Sequence, residues 1–579
     1  MSFEKRNKNL NSIKDIVLNN TNKNSLDELN AIGTTYEIKN FDKAFALIKS
    51  AINENKHIYV YADYDCDGVC SAIIWHSILD ELFNLPSVAY TIKLPCRFND
   101  GYGLSLSYCK DYIKENSLVI TVDNGIAAVE QIKLLKNKNC DVLIMDHHLP
   151  RGDKVLPNAD VIIDPEAIGN ATFEGYCAAG LSLRFAEYCN KMIPTAPTDD
   201  TQILYCTMYA AIATIADVVP LVEDNRKIVQ KGLNIINITK TTFLNSLFLQ
   251  EGLEFVDETT VGFLIAPLIN AMGRLRYKGA QELADAIYDM DRGWFYNPEQ
   301  YINMLIKNNE KRKKLCMNGE AFCSQIVQKE KLFRPINPIV VWEEKETGKD
   351  QLLHQGIVGI VAGRLTEEYK TPAFVLTETE NGIFKGSART YGDINIKEML
   401  DEANEQGLLL SYGGHPAAAG LSCKKENLSK LRDFFISLYI KKGYTVDMTS
   451  YYDLEVKINN RHDAENIIKE LKKYGPFGEG NPEPILLFKA NLVPIDSKYY
   501  RLLGQDGEHI KLRASDIEIV GFGLADKYLK NEPKTIKILG TLATNIYMGE
   551  SRPQFLMREF EELHSSLSPL ATALQELLK

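Results

Sequence analysis

The sequence has no long apolar run and no leader-like N-terminus. Nowhere does it approach the ~20 consecutive apolar residues that a membrane span needs. Its first residues, MSFEKRNKNLNSIKD, contain no apolar segment of the kind found in secretory signals. We therefore expect a cytoplasmic protein with no membrane partner.

Paired cysteines and an excess of positive charge are missing as well. The eleven cysteines are scattered and none forms a C-x-x-C pair, so a reduced intracellular protein is favoured over a disulfide scaffold or a zinc ribbon. The net charge of −11 argues weakly against a protein that coats nucleic acid. It excludes no nuclease, because local patches and bound cations decide where nucleic acid binds.

What is present is typical of a multidomain globular protein. The 579 residues are 45% hydrophobic and 25% charged, which allows a large core. At about 100–200 residues per domain, this length predicts three or four domains.

One stretch joins a buried strand to a cluster of carboxylates. Ile58–Ala62 is apolar and β-prone, and Asp63, Asp65 and Asp67 follow at alternate positions before Gly68. Such a place, at the carboxyl end of a strand, is where an open α/β sheet keeps its ligand site. Close anions repel one another unless they are protonated or neutralised, and oxygen ligands favour Mg²⁺ or Mn²⁺. The stretch therefore predicts a metal-dependent phosphoesterase.

Further acidic residues follow the other apolar runs of this region. The runs are short and continuous, which is typical of strands buried on both faces of a mostly parallel sheet. They are Val88–Ile92, Leu118–Val122, Val142–Met145 and Val161–Ile163. The polar residues that follow strands, or the helical run Tyr209–Ala216, are Asp123, Asp146, His147, His148, Asp164 and Asp217. Their repeated position predicts that they converge on one edge of the sheet, although Asp164 alone reads as a turn residue or helix N-cap.

These motifs resemble those of the DHH phosphoesterase superfamily. Further segments are similar in order and spacing to the RecJ family of single-stranded-DNA exonucleases, from about residue 57 to about residue 560. The segments that carry the resemblance are Asp63–Gly68, Pro95–Gly103, Val122–Gly125, Asp146–His148, Ala216–Val218, Ile269–Arg274, His354–Ala362, Gly386–Arg389, Gly413–Gly420 and Pro476–Pro484.

The resemblance implies an α/β protein with a mostly parallel DHH domain, a helical connector, a second α/β domain of the DHHA1 type and a small β-barrel of the OB type. We expect an N-terminal helical arm at 1–55, the DHH domain at 56–222, the connector with a long linking helix at 223–332, the DHHA1 domain at 333–445, the OB-like domain at 446–562 and a tail at 563–579.

The pattern of the second half agrees with that order of domains. Asn297 to Lys331 is rich in helix formers, and its run Lys311–Lys314 is either a solvated face or a basic face that lines a groove for phosphates. The apolar runs Ile339–Val341 and Ala373–Leu376 flank a helical segment, Val358–Leu365. Short β runs then predict a small barrel: Tyr452–Val456, Ile485–Phe488, Leu502–Leu503, His509–Leu512, Ile517–Phe522, Ile536–Leu542 and Gln554–Met557. Pro569–Lys579 reads as a short amphipathic tail.

The resemblance also implies roles for individual residues and a pair of Mg²⁺ or Mn²⁺ ions. Asp65 and Asp67 would each hold one ion, Asp123 would bridge both, and His147 and Asp217 would complete one coordination shell. Asp63 would help or orient, Asp146 would orient its neighbours, and His148 would contact the scissile phosphate or assist proton transfer. The residues expected to contact phosphate or DNA are Arg97, Asn270, Arg274, Arg389, Gly413, Gly414, His415 and Lys511.

The function that this resemblance implies is 5′→3′ exonucleolytic hydrolysis of single-stranded DNA, in recombination and repair. A single-strand-binding protein and a helicase are plausible partners, and we expect a monomer. One alternative is a phosphoesterase that acts on short oligonucleotides, phosphoadenosine phosphate or pyrophosphate. The C-terminal barrel pattern argues against it, because a small substrate needs no platform for a strand. A non-catalytic DNA-binding scaffold is a second alternative, and the complete set of motif carboxylates argues against that.

Overall fold

The computed structural model describes residues 3–150, 155–193, 200–332, 337–444, 449–504, 507–547 and 550–563. The tail predicted at Pro569–Lys579 lies outside these residues. Within the described ranges, none of the helices combines the length and the apolarity that crossing a membrane would require.

The secondary structure is mixed throughout. The strands are β1 (Phe3–Lys5), β2 (Ile58–Tyr61), β3 (Tyr90–Lys93), β4 (Leu118–Val122), β5 (Asp141–Met145), β6 (Val161–Ile163), β7 (Ile339–Glu343), β8 (Ala373–Glu378), β9 (Ile383–Arg389), β10 (Ser411–Gly414), β11 (Ala418–Lys424), β12 (Ser450–Tyr452), β13 (Leu454–Val456), β14 (Leu486–Asn491), β15 (Tyr500–Leu503), β16 (His509–Ala514), β17 (Ile517–Gly521), β18 (Thr535–Tyr547) and β19 (Glu550–Glu562). The α-helices are α1 (Ile13–Asn20), α2 (Leu26–Leu29), α3 (Phe41–Asn53), α4 (Cys66–His76), α5 (Leu106–Asp111), α6 (Val129–Asn137), α7 (Pro165–Ile168), α8 (Ala178–Met192), α9 (Thr201–Ala216), α10 (Glu223–Ile238), α11 (Thr242–Glu251), α12 (Glu258–Thr260), α13 (Ala266–Leu275), α14 (Gly279–Asp291), α15 (Pro298–Lys329), α16 (Val358–Tyr369), α17 (Ile396–Glu405), α18 (Leu428–Lys442), α19 (Arg461–Lys472) and α20 (Ala525–Leu529).

The first sheet is parallel throughout and has the order β3-β2-β4-β5-β6. Every residue of β2 and β4 is buried, because α4 and α8 cover one face and α5 and α6 the other. Burial on both faces explains the continuous apolar runs from which these strands were predicted. One boundary differs: Val88 lies in a 3₁₀ turn, Ser87–Ala89, with 82% of its surface exposed, and the strand begins only at Tyr90.

A helical region connects this sheet to a second one. The last of its helices, α15, has 32 residues and so a length of about 48 Å. Ile302 and Leu305 near its start belong to the core of the first sheet, whereas Cys323 and Val327 near its end pack with β7, β8 and α16. The helix therefore joins two separate cores.

The second sheet has the order β10-β11-β9-β8-β7. Strands β7 and β8 are parallel and α16 lies between them in the chain, as the apolar pattern predicts. The remaining pairs are antiparallel, and β10 and β11 form a hairpin whose tip is His415.

The C-terminal sheet has the order β13-β14-β18-β19-β17-β16-β15. It contains the predicted β runs, but β18 and β19 have 13 residues each and form one long hairpin. The N-terminal segment is not purely helical as predicted: β1 pairs with β12, and Ile13, Val17 and Leu29 lie in the core of this last sheet. The two ends of the described chain thus build one unit. The exact domain boundaries stay predictions.

Candidate active site

The predicted acidic residues meet at the carboxyl edge of the parallel sheet. Asp63 and Asp65 lie in the loop after β2, Asp123 follows β4, and the Asp146–His148 segment follows β5. Asp217 reaches the same place from the end of α9, where it is the C-cap residue. Because β2, β4 and β5 are neighbours in a parallel sheet, their final residues necessarily lie side by side.

His147 lies at the centre of this cluster. Its Nε2 is 3.1 Å from Asp123 Oδ1, 3.6 Å from Asp217 Oδ2 and 3.7 Å from Asp67 Oδ2. Three overlapping groups have ligand atoms within 4.8 Å of one another. They are Asp123 with His147 and His148, Asp67 with His147 and Asp217, and Asp63 with Asp65 and Asp123. The structure therefore brings together every residue predicted to bind metal.

The loop that carries the first aspartates is tightly held. Asp65 is the N-cap of α4, and its Oδ1 accepts hydrogen bonds from the backbone N–H groups of Asp67 and Gly68. A Cβ at position 68 would overlap the backbone carbonyl of Asp63, so only glycine fits there. Asn270 Oδ1 accepts a hydrogen bond of 3.0 Å from the backbone N–H of Cys66. Asn270 thus supports this loop from α13.

Asp67 is oriented by the start of another helix. Its two carboxylate oxygens accept hydrogen bonds of 2.7 and 2.8 Å from the backbone N–H groups of Ala178 and Ala179. These groups are at the positive N-terminus of α8, which stabilises a negative charge.

Two residues of the cluster region have strained backbones. Asp123 has φ +62°, and Val218, directly after Asp217, has φ +57°. Left-handed backbone is uncommon outside glycine and is especially unfavourable for a β-branched residue such as valine. Strain of this kind persists where the surrounding structure enforces it, commonly at functional sites.

The carboxylates repel one another in a buried place. Burial, and then the charges of neighbouring carboxylates, raise the pKa values of Asp63, Asp123 and Asp217 well above their usual range. The same two causes raise the pKa of Asp67 to about 6. Asp63 Oδ1 is buried and has no hydrogen-bond partner in the part of the chain that the structure describes. A cation would relieve both the repulsion and the unpaired oxygen, so these residues fit a hard divalent ion.

The imidazole of His147 suits the same role. Burial, and then the charge of His148, lower its pKa to about 3, so that the ring is neutral at physiological pH. Neutral imidazole is a common ligand of Mn²⁺ and similar ions.

Asp146 and His148 form a separate pair beside the cluster. His148 Nδ1 lies 2.7 Å from Asp146 Oδ1, and Asp146 also accepts hydrogen bonds from the backbone N–H groups of His147 and Ile126. Although burial opposes the charge, the hydrogen bond and the charge of Asp146 raise the pKa of His148 to about 9. Against its own burial penalty, the pKa of Asp146 falls to about 2, chiefly through its hydrogen bond with His148. The pair is therefore an ionised carboxylate that orients an imidazolium.

A cluster of arginines lies near the carboxylates, in the cleft between the first and the second α/β unit. Burial, and then the charge of Arg97, lower the pKa of Arg274 to about 10, and further repulsion comes from Arg312 and Arg389. Within the described ranges, none of these four arginines forms an ion pair with a carboxylate. Arg274 donates a hydrogen bond of 3.2 Å to the carbonyl of Gly356. Half-buried guanidinium groups at this density, without carboxylate partners among the described residues, would bind an anion.

The N-terminal end of α16 completes this basic pocket. Arg389 donates a hydrogen bond of 2.7 Å to Ser387 Oγ, and the guanidinium lies directly against Gly359. A Cβ at position 359 would be 3.0 Å from Arg389 and 3.2 Å from Ser387 Oγ, so glycine allows the helix to approach them. The free N–H groups of a helix start favour phosphate in the same way.

The cleft is closed by contacts between the two α/β units. The His415 ring at the tip of the β10–β11 hairpin lies 6.1 Å from the His148 ring and nearly parallel to it. The Phe98 ring meets the His354 ring edge-on at 5.8 Å. Gly413 and Gly414 are the last two residues of β10 and lead to His415. Gly414 has φ +144° and leaves no room for a side chain.

One predicted residue lies apart from this cleft. Lys511 is on β16 of the C-terminal sheet, where its Nζ pairs with Glu518 Oε2 at 2.9 Å. A role in contacting DNA stays a prediction for it. Conversely, sequence reasoning did not single out Ser387 or Tyr102, although both lie inside quoted motifs, and it gave Arg312 no separate role within its basic run.

Comparisons with known proteins agree with this arrangement. The model for the DHH family, N-terminal domain, matches residues 57–212, that for the DHHA1 domain matches 340–441, and that for the RecJ OB domain matches 452–559. A single-stranded-DNA-specific exonuclease RecJ from Bacillus subtilis is 31% identical over 536 residues, which cover 90% of this chain and 64% of that protein. The chain thus spans slightly less than two thirds of the length of this relative.

This chain spans a larger share of two further relatives. The single-stranded-DNA-specific exonuclease RecJ of Haemophilus influenzae is 28% identical over 510 residues, covering 82% of this chain and 81% of that one. The crystal structure of RecJ in complex with Mn²⁺ from Thermus thermophilus superposes with a TM-score of 0.74. The superposition covers 96% of this chain and 77% of the Thermus thermophilus chain at 22% identity, which shows a shared fold.

Proposed function

The chain belongs to the DHH family, with the DHH, DHHA1 and OB domains of RecJ proteins, and from this premise we propose that it is a metal-dependent exonuclease. Its substrate is single-stranded DNA, which it degrades in the 5′→3′ direction during recombination and repair. The names of the curated relatives support the substrate, since they are single-stranded-DNA-specific exonucleases.

One observation carries this proposal: a cluster of carboxylates and a cluster of arginines lie close enough for their charges to act on each other. Carboxylates and His147 occupy the sheet edge, and four arginines that have no carboxylate partner among the described residues lie near them. A phosphodiester strand would bind to both clusters, with its anionic oxygens on the arginines and the scissile bond at the carboxylates.

The residues that would hold the cations are Asp65, Asp67, Asp123, His147 and Asp217, with Asp63 beside them. Two Mg²⁺ or Mn²⁺ ions bound there would supply an activated water and neutralise the charge of the phosphate. Crystal structures of RecJ from Thermus thermophilus in complex with Mn²⁺ and with Mg²⁺ support this choice of ions.

The chain itself binds and orients the strand. The imidazolium of His148, oriented by Asp146 through Nδ1, places a positive charge beside the phosphate at the scissile position. His415 closes over the same point from the DHHA1 domain. Arg97, Arg274 and Arg389 hold a second phosphate in the basic pocket.

The cleft favours a single strand that enters by its end. Ring contacts join the two α/β units at two places, His148 with His415 and Phe98 with His354, and a passage between units held this close would admit a single strand more readily than a duplex. Gly356 and the start of α16 lie against the arginines of the basic pocket, and this helix start would bind a terminal phosphate. A phosphate at the 5′ end would then set the direction of cutting.

The OB domain would extend the path of the strand beyond the cleft, as OB folds commonly do for single-stranded nucleic acid. A single-strand-binding protein and a helicase are the partners that we propose, and the working unit is a monomer.

A comparison of substrates tests the proposal. The purified protein is incubated with Mn²⁺ and with long single-stranded DNA, blunt duplex, dinucleotides or pyrophosphate. We expect rapid loss of the single strand, survival of the duplex and complete inhibition by chelator. Survival of the long strand together with hydrolysis of dinucleotides or pyrophosphate would instead establish a phosphoesterase of small substrates.

A further inference from the structure

Tyr102 stands beside the cluster on a loop that is shaped to present it. The flanking residues, Gly101 and Gly103, have φ +80° and φ +75°. No atom lies within 4 Å of a Cβ placed on either glycine, so the backbone conformation, and not crowding, requires glycine there. The Tyr102 side chain remains 58% exposed in the cleft.

The Tyr102 hydroxyl forms a hydrogen bond with His148, the histidine that we place at the scissile phosphate. The hydroxyl oxygen lies 2.9 Å from His148 Nε2. At the opposite side of the ring, His148 Nδ1 faces Asp146 Oδ1, which already accepts a backbone N–H and can only accept. Nδ1 therefore carries a proton and donates a hydrogen bond to Asp146. The hydrogen bond between Nε2 and the Tyr102 hydroxyl then fixes the orientation of the ring.

The same loop connects this histidine to the basic pocket. The Tyr102 ring meets the Tyr64 ring edge-on at 6.4 Å, and the Arg97 guanidinium lies 4.4 Å from the centre of the Tyr64 ring. Arg97 and Tyr102 are five positions apart on one loop. A phosphate held by Arg97 would thus also fix the loop that holds His148.

We propose that Tyr102 is a positioning residue for phosphodiester cleavage: its hydroxyl holds Nε2 of the His148 ring while Asp146 holds Nδ1, and the ring is thereby fixed beside the scissile phosphate. The inference rests on the proposed function and adds a residue to it. It assigns the hydroxyl group, and not the aromatic ring, the greater part of the effect.

The kinetic test separates the hydroxyl from the ring. Tyr102→Phe removes one hydrogen bond and keeps the ring, so we expect kcat on single-stranded DNA to fall about tenfold with KM and the Kd for Mn²⁺ unchanged. In a His148→Ala background, the same change should cause no further loss. Tyr112→Phe is the matched control, because Tyr112 is also exposed and its hydroxyl makes no hydrogen bond among the described residues.

A crystal structure of the Tyr102→Phe protein gives a readout that does not need activity. We expect the His148 ring to rotate or to lose a single orientation, while the ring keeps its place in the Tyr112→Phe protein. Wild-type kcat in Tyr102→Phe with a defect in Tyr102→Leu, or an unmoved His148 ring, would overturn the inference. Absence of cleavage by the wild type would contradict the proposed function alone, since the crystallographic comparison still decides the role of Tyr102.

Discussion

At the scale of single residues, the site depends on buried charges that are held in place by backbone groups. The carboxylate of Asp67 is held by the start of α8, and that of Asp146 by the N–H groups of Ile126 and His147. The aspartates could be predicted from the sequence because each follows a buried strand or ends a helix. The roles of Ala178 and Ala179 could not, because backbone N–H groups carry no signature in the sequence.

Asp123→Asn tests the central carboxylate. The change removes a charge that lies 3.1 Å from His147 Nε2, and we expect at least a thousandfold loss of kcat, weaker binding of Mn²⁺ and unchanged affinity for single-stranded DNA. Isothermal titration measures the binding of Mn²⁺, and single-turnover cleavage measures the loss of rate. Asp111→Asn, on the exposed end of α5, is the control and should behave as the wild type. Cleavage at the wild-type rate in Asp123→Asn would refute the assignment.

Arg274→Ala tests the basic pocket. Wild-type protein should bind an oligonucleotide with a 5′ phosphate more tightly than the same oligonucleotide with a 5′ hydroxyl. The variant should lose most of this preference, a change of about tenfold or more in Kd, because a charge-assisted hydrogen bond is lost. Fluorescence anisotropy with chelator present measures the Kd for each oligonucleotide without cleavage. Arg276→Ala, whose side chain is half exposed and pairs with Glu282, should keep the preference, and an equal preference in all three proteins would contradict the pocket.

At the scale of elements, the parallel sheet was the easiest part to predict and the last sheet the hardest. Strands β2, β4, β5 and β6 are buried on both faces, and their apolar runs stand out from the surrounding sequence. The lengths of β18 and β19 were underestimated, since the outer end of β19, Glu550–Arg552, is a run of exposed polar residues that gives no apolar signal. Asp164 is the N-cap of α7, as expected for a lone aspartate after a strand.

Gly68→Ala tests the start of α4. The new Cβ would overlap the carbonyl of Asp63, so the loop must move and the free energy of unfolding should fall by about 1–3 kcal/mol. Thermal unfolding in chelator measures this, and Mn²⁺ should raise the melting temperature less than in the wild type. Gly363→Ala in α16 is the control, because its Cβ would meet open space. Equal stability and equal stabilisation by Mn²⁺ in both variants would be inconsistent with a fixed loop.

At the scale of the whole molecule, the N-terminal segment and the OB domain form one unit. Arg6 pairs with Asp453, 447 positions away, and Ile13, Val17, Leu18 and Leu29 complete the core of the C-terminal sheet. Arg226, fully buried, joins Asn30 to the carbonyls of Gly475 and Pro476. No local pattern could reveal these contacts, because the partners are supplied by chain folding over hundreds of residues.

Deletion of residues 1–30 tests this unit. It exposes apolar side chains of the last core, and we expect a lower melting transition for the OB domain, with Mn²⁺ binding at the DHH domain retained. Differential scanning calorimetry with and without Mn²⁺ distinguishes the transition of the OB domain from that of the DHH domain, since only the latter should shift with Mn²⁺. A single unchanged transition would show that the segment does not support the OB domain.

The most direct test of the account is the digestion of single-stranded DNA labelled at its 5′ or its 3′ end, in Mn²⁺, in Mg²⁺ and in chelator. The account predicts that the 5′ label appears at once in short products, that the 3′ label stays in long strands until late, and that chelator or Asp123→Asn stops both. Early release of the 3′ label, cuts within the strand, or cleavage that continues in chelator would contradict it.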